Sequence, residues 1–190
     1  MTMNSIKDSS SIRRMSCLGI AAAALVAGTP AFSSNQGTLG ATSTGSVSIT
    51  ASVANRAQIT GLTDISFSAV DPATAATSAQ SDCVWSNTAT KGYSITATGS
   101  GTSGAFTLAN GSLTVPYSVQ WAASTGQTSG SALTAGTALG GLTTTAANPT
   151  CSTGAATTSS LIVSISSANL QGMTAGASYT GTLTLLVTPQ

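Results

Sequence analysis

Apolar and polar positions alternate with a period of two through much of the chain after residue 44, the pattern of strands with one buried and one wetted face. The clearest run closes residues 174–190. Tyr179, Gly181, Leu183, Leu185 and Val187 share one face, while Thr180, Thr182, Thr184, Leu186 and Thr188 share the other. If this strand lies at a sheet edge, its free side must be met from elsewhere in the sequence or by another molecule. Residues 45–53 alternate as cleanly, with Val47, Ile49, Ala51 and Val53 opposed to Ser46, Ser48, Thr50 and Ser52. That run has two readings: the first strand of the chain's own sandwich, or a strand carried for another copy. Further strands are predicted at residues 57–62, 65–70, 83–86, 92–98, 105–108, 112–121 and 160–165, with short ones marked by Leu133, Leu139 and Leu142. Asn110-Gly111 and Lys91-Gly92 read as hairpin turns, and Pro116 places an edge or bulge in its strand. The Ala/Thr-rich stretch 71–80 reads as a connection. Beyond an apolar run near the N-terminus, no stretch has helical periodicity with caps.

Composition agrees with an all-β fold. Ser, Thr, Gly, Ala and Val dominate, residues that favour pleated surfaces and turns. Only 5% of the 190 residues are charged and the net charge is +1. A nucleic-acid partner is therefore not expected, because that affinity rests on clustered Lys and Arg.

The N-terminal segment reads as an export signal. Lys7, Arg13 and Arg14 precede an apolar run at residues 17–27, and Ala31-Phe32-Ser33 offers a small-x-small cleavage pattern. Cys17 stands at the front of the apolar run, where a lipid-bearing cysteine would not. The expected organisation is a signal peptide at 1–33, a flexible leader with an N-terminal strand at 34–55, a β-domain at 56–190, and no membrane anchor. Export leaves Cys83 and Cys151 in an oxidising compartment, where a structural disulfide is expected.

The remaining chemistry is sparse. Histidine is absent, and the expected exported chain carries Asp64, Asp71, Asp82, Arg56 and Lys91, each Asp beside turn-forming residues. A Ser-His-Asp site and a His-containing metal site are thus excluded, and no cofactor is expected. A Ser–Lys pair through Lys91 is formally open but reads better as a solvated turn. Trp85 and Trp121 could stack on sugars, yet both sit in strand-like runs that favour packing. The expectation is a protein that is not an enzyme.

Four segments carry a resemblance: Val47-Ser-Ile-Thr-Ala-Ser-Val53, Cys83-Val-Trp-Ser-Asn87, Val115-Pro-Tyr-Ser-Val-Gln-Trp121, and Ala175-Gly-Ala-Ser-Tyr-Thr-Gly-Thr-Leu-Thr-Leu185. Together they resemble subunits of chaperone–usher pili of the spore-coat-protein-U and colonisation-factor type. The resemblance implies an immunoglobulin-like antiparallel β-sandwich lacking one strand, completed by the N-terminal strand of a neighbouring subunit. By position, Val47, Ile49, Ala51 and Val53 would be the donated side chains. Tyr179, Leu183, Leu185 and Val187 would line the acceptor groove. It also implies a periplasmic chaperone, an outer-membrane usher and other copies of the subunit as partners, and a surface fibre of a Gram-negative bacterium that serves adhesion or biofilm formation. The alternative is a stand-alone secreted β-sandwich that binds glycans.

Overall fold

The computed structural model describes residues 34–190. The export-signal reading of residues 1–33, Cys17 included, lies outside the described residues. The chain divides into Met1–Ser52 and Val53–Gln190. In the first unit, Asn35 and Ser46 exchange both backbone N–H···O bonds at 2.9 Å, and every described residue is exposed.

Alternating sequences satisfy their backbone groups only by lateral pairing, and the body does so in antiparallel ladders throughout. Its strands are β1 (Ala57–Thr60), β2 (Ala76–Ser86), β3 (Gly92–Gly99), β4 (Thr107–Asn110), β5 (Leu113–Pro116), β6 (Ser118–Ala122), β7 (Ser131–Ala132), β8 (Ala138–Thr143), β9 (Ser159–Ile165) and β10 (Leu183–Pro189). A five-stranded sheet runs β1-β2-β9-β6-β7, a three-stranded sheet β10-β3-β8, and β4-β5 form a hairpin. Val84, Val119, Trp121, Leu161, Val163 and Ile165 from the first sheet meet Tyr93, Ile95 and Ala97 from the second in one core. The protein is an all-β sandwich. Trp121 and Tyr93 lock the layers together: both are almost fully buried, and the indole Nε1 donates to the Tyr93 hydroxyl at 3.1 Å. Such a bond is worth about 1 kcal/mol net, but leaving either group unpaired costs more.

Cys83 and Cys151 form the expected disulfide, with Cα atoms 6.0 Å apart. It lies on the outer face of β2 with Ala146, and Trp85 packs half-buried against it. The cystine ties β2 to the long connection before β9.

Several elements differ from the sequence expectation for identifiable reasons. Residues 65–70 alternate in burial, with Ile65, Phe67 and Val70 half-buried, yet enter no ladder. Gly61, at φ 87°, turns the chain off β2 just before them, and no other strand pairs with this stretch. Among the described residues, 45–53 enter no ladder beyond the single Asn35–Ser46 bridge. The stretch 71–80 is no simple connection, because Ala76 to Asp82 pair with β9. Residues 112–121 split at Tyr117, where Pro116 ends the β4–β5 hairpin and β6 joins the other sheet. Gly111, at φ 58°, makes the expected hairpin turn. The Thr88–Lys91 turn, by contrast, is no hairpin tip: it carries the chain from one sheet to the other. A five-residue helix α1 (Ser167–Gln171), too short to show periodicity, is capped by Ser166, whose hydroxyl accepts from the Asn169 N–H. The last strand begins at Leu183, so Tyr179 and Gly181 lie outside it.

Candidate functional site

β10 sits at the edge of its sheet and pairs only with β3, from Leu183↔Gly99 to Pro189↔Tyr93. Strands of this length with an unpaired side are a template for another backbone. The other sheet edges are blunter: β7 has two residues, and β8 is interrupted by Gly140-Gly141, with Gly141 at φ 71°. Beside the free side of β10 opens a cleft of about 1010 Å³. One wall is formed by residues 62–70, the other by residues 176–183 and Leu185, and Leu161, Val163, Ile165 and Leu170 form the floor. Residues 62–70 enter no ladder and β10 pairs only with β3, while Thr180 exchanges both backbone bonds with Ala109 and the Thr63 backbone is held by the Gln80 side chain.

Tyr179, Leu183 and Leu185 line this cleft. Val187 does not: it packs against the core farther along β10, where β1 lies alongside. Tyr179 is half-buried, and its hydroxyl accepts from the Thr174 N–H at 3.2 Å. Ile65, Phe67, Leu170 and Met173 complete the lining. Alternation had flagged Ile65 and Phe67 as strand residues, whereas Leu170 and Met173 carry no pattern that marks them. Among the lining residues only Asp64 is charged, and it is exposed. Tyr117 also lines the cleft, and burial pushes its hydroxyl above the usual value, so it stays protonated at neutral pH. Apolar side chains share the lining with Ser and Thr residues, so the surface suits an uncharged occupant with one apolar face.

On the leader side, Val47, Ile49 and Val53 are 74%, 88% and 83% exposed, and Ala51 is exposed as well. Three large aliphatic side chains in one alternating run are left in solvent, a face still without a partner. The Trp121 indole, 1% exposed, offers no stacking surface for a sugar. A second hollow, of about 390 Å³, is walled by Ser, Thr, Gly and Ala alone and offers no aromatic ring. Lys91 is exposed, with Nζ donating to the Ala146 carbonyl at 3.4 Å.

Asp82 is the unexpected residue. It lies not beside a turn but within β2, fully buried, and neither carboxylate oxygen has a hydrogen-bond partner of good geometry. Desolvation pushes its carboxyl up from 3.8 to about 6; the Leu161 backbone N–H pulls more weakly the other way. The folded state then holds this proton more tightly than the unfolded chain does. Its contribution favours folding at low pH and is lost as pH rises through about 6. The shift corresponds to roughly 3 kcal/mol. Thermal melts should show stability rising as pH falls from about 7 toward 4, and Asp82→Asn should raise Tm at neutral pH and flatten that slope. An unchanged slope in Asp82→Asn would assign the pH response elsewhere.

Among the described residues there is no cluster of three or more metal-ligating side chains, and no helix long and apolar enough to cross a membrane. No family model and no curated protein matches the chain.

Proposed function

We propose that this protein is a structural subunit of a surface fibre, polymerising by donor-strand exchange in the manner of chaperone–usher pilins. One observation carries the reading: an apolar cleft flanked by the unpaired side of β10 and the ladderless stretch 62–70 occurs in a chain whose own leader exposes an alternating aliphatic face. In this reading the body is an immunoglobulin-like sandwich one strand short, and residues 47–53 of another copy supply that strand. Val47, Ile49, Ala51 and Val53 face inward between Tyr179, Leu183 and Leu185 on one side and Ile65 and Phe67 on the other.

Val and Ile side chains so buried contribute about 1.5–3 kcal/mol each, and new ladder bonds add to this. Donor and acceptor are different surfaces, so the contact is head-to-tail and propagates without closing. A periplasmic chaperone covers the cleft before assembly, an outer-membrane usher exports the subunit, and the fibre stands on a Gram-negative surface where it serves adhesion or biofilm formation. The buried disulfide is compatible with such an oxidising route. No catalytic role is assigned.

The test is a chain beginning at Arg56, co-expressed with its chaperone. It should remain monomeric where the chain beginning at Ser34 forms fibres. Fibres of normal yield from the shortened chain would overturn the proposal.

A further inference from the structure

Asp82, the buried carboxylate, sits where the chain leaves a ladder. It is fully buried, and neither carboxylate oxygen has a hydrogen-bond partner of good geometry. β2 is not free to move and wet it. The Asp82 carbonyl accepts from the Thr158 N–H at 2.8 Å and from the Ser159 hydroxyl at 3.0 Å, and the β9 ladder runs on from Asp82↔Ser159 to Ala76↔Ile165. On the other flank the β1 ladder stops at Thr60↔Cys83, so Asp82 is the first β2 residue without a partner there. Gly61, at φ 87°, carries the chain away directly beside it: a Cβ on Gly61 would stand 3.8 Å from the Asp82 Cα.

The segment that leaves is loosely held. Among the described residues, no backbone group of 62–70 bonds to another backbone group. Thr63 is fastened by the Gln80 side chain, which accepts from its N–H and its hydroxyl at 2.8 Å and donates to its carbonyl at 3.2 Å. Gln80 stands two residues from Asp82 on the same face of β2. Beyond that clasp, half-buried Ile65, Phe67 and Val70 rest on the core. At the far end Ala69 has φ 51°, a left-handed conformation that a Cβ disfavours. Positive-φ residues thus bracket the segment at both ends, as hinges bracket a flap.

No cation compensates an ionised Asp82. Among the described residues, Arg56, Asp64, Asp71 and Lys91 are all exposed, and β1, β8, β9 and β10 carry no titratable side chain. The facing sheet's titratable group is Tyr93 of β3, whose hydroxyl is engaged by the Trp121 indole. A charged carboxylate gains nothing from staying sealed in such a place and recovers its hydration when the cover lifts.

We infer, independently of the function proposed above, that residues 61–70 are a proton-released flap: ionisation of Asp82 frees them from the body at Gly61 and admits water to the carboxylate. The closed state holds the proton more tightly than the open one, so acid keeps the flap down. The open population rises between about pH 4 and about pH 6 and levels off above, by on the order of a hundredfold for one proton. Since residues 62–70 form one wall of the cleft, the width of the cleft follows pH.

Thiol labelling tests this. In the chain beginning at Ser34, Cys83 and Cys151 are paired, so Ile65→Cys places one free thiol under the flap and Val163→Cys places one in the core. Dividing each rate by that of the unfolded chain at the same pH removes the thiol's own titration. At Ile65→Cys the ratio should rise on the order of a hundredfold between about pH 4 and about pH 6.5, and about 1 M urea should leave it unchanged, because lifting a flap exposes little surface. At Val163→Cys labelling needs global unfolding and should climb steeply with urea. Adding Asp82→Asn to Ile65→Cys should flatten the pH profile. A flat profile at Ile65→Cys, a rise as sensitive to urea as that at Val163→Cys, or a rise that survives Asp82→Asn would each overturn the inference and leave the proposed function standing. Should Asp82→Asn fail to fold, the first two readings decide.

Discussion

Replacing Val47 and Ile49 together with aspartate is expected to abolish fibre formation while leaving the folded body untouched. Both side chains are mostly exposed and contribute nothing to the core, so the variant's melting temperature should match that of the parent monomer. Insertion into the cleft is another matter. It would forgo about 1.5–3 kcal/mol of burial at each site and force two carboxylates into an apolar slot whose lining holds no cation, at several kcal/mol more. Together these exceed about 5 kcal/mol, or roughly four orders of magnitude in affinity. Electron microscopy of assembled material and gel filtration of the monomer read the two halves of the expectation. Abundant fibres from the double variant would remove residues 47–53 from the joint.

The disulfide is the second large effect. Joining residues 68 apart in sequence removes about 4 kcal/mol of unfolded-chain entropy, a substantial share of the 5–15 kcal/mol typical of a domain. Because Cys83 and Cys151 are both buried, Cys83→Ala with Cys151→Ala should lose this contribution without exposing a polar group. Thermal unfolding should drop by on the order of 15 °C, and reduction of the parent protein should have a similar effect. A drop of only about 2 °C would mean that the long connection between β8 and β9 is held by its own hydrogen bonds. Those bonds are present: the Thr144 and Thr158 hydroxyls donate to the Val84 carbonyl, and the Thr158 N–H donates to the Asp82 carbonyl at 2.8 Å.

Strands with large alternating side chains were legible in advance. Ile95 and Val163 fall in expected strands, although β3 and β9 are buried on nearly both faces, and Leu183, Leu185 and Val187 mark β10, where burial does alternate. Where the side chains are small, alternation carries little information: Ala76, Ser78 and Gln80 face inward on β2, but a Thr/Ser/Ala/Gln run looks alike on both faces. Pairing is a property of two segments, and a single run cannot report it. Residues 45–53 and 65–70 have the pattern of strands and no ladder, for want of a neighbour and not of propensity. That shared deficit points to the cleft. Asp82 illustrates the opposite limit. A carboxylate's burial depends on what covers it, and the turn residues around a short polar side chain gave no hint of it.

Hydrogen exchange along β10 tests the central claim most directly. In the monomer, the amides of Leu183–Thr188 that point away from β3 should exchange rapidly while those bonded to β3 are protected. In the fibre, both sets should be protected, together with the amides of residues 47–53 that turn toward β10. Equal protection of the two sets in the monomer, or a fibre in which the outer set still exchanges freely, would contradict a joint made by strand addition at this edge.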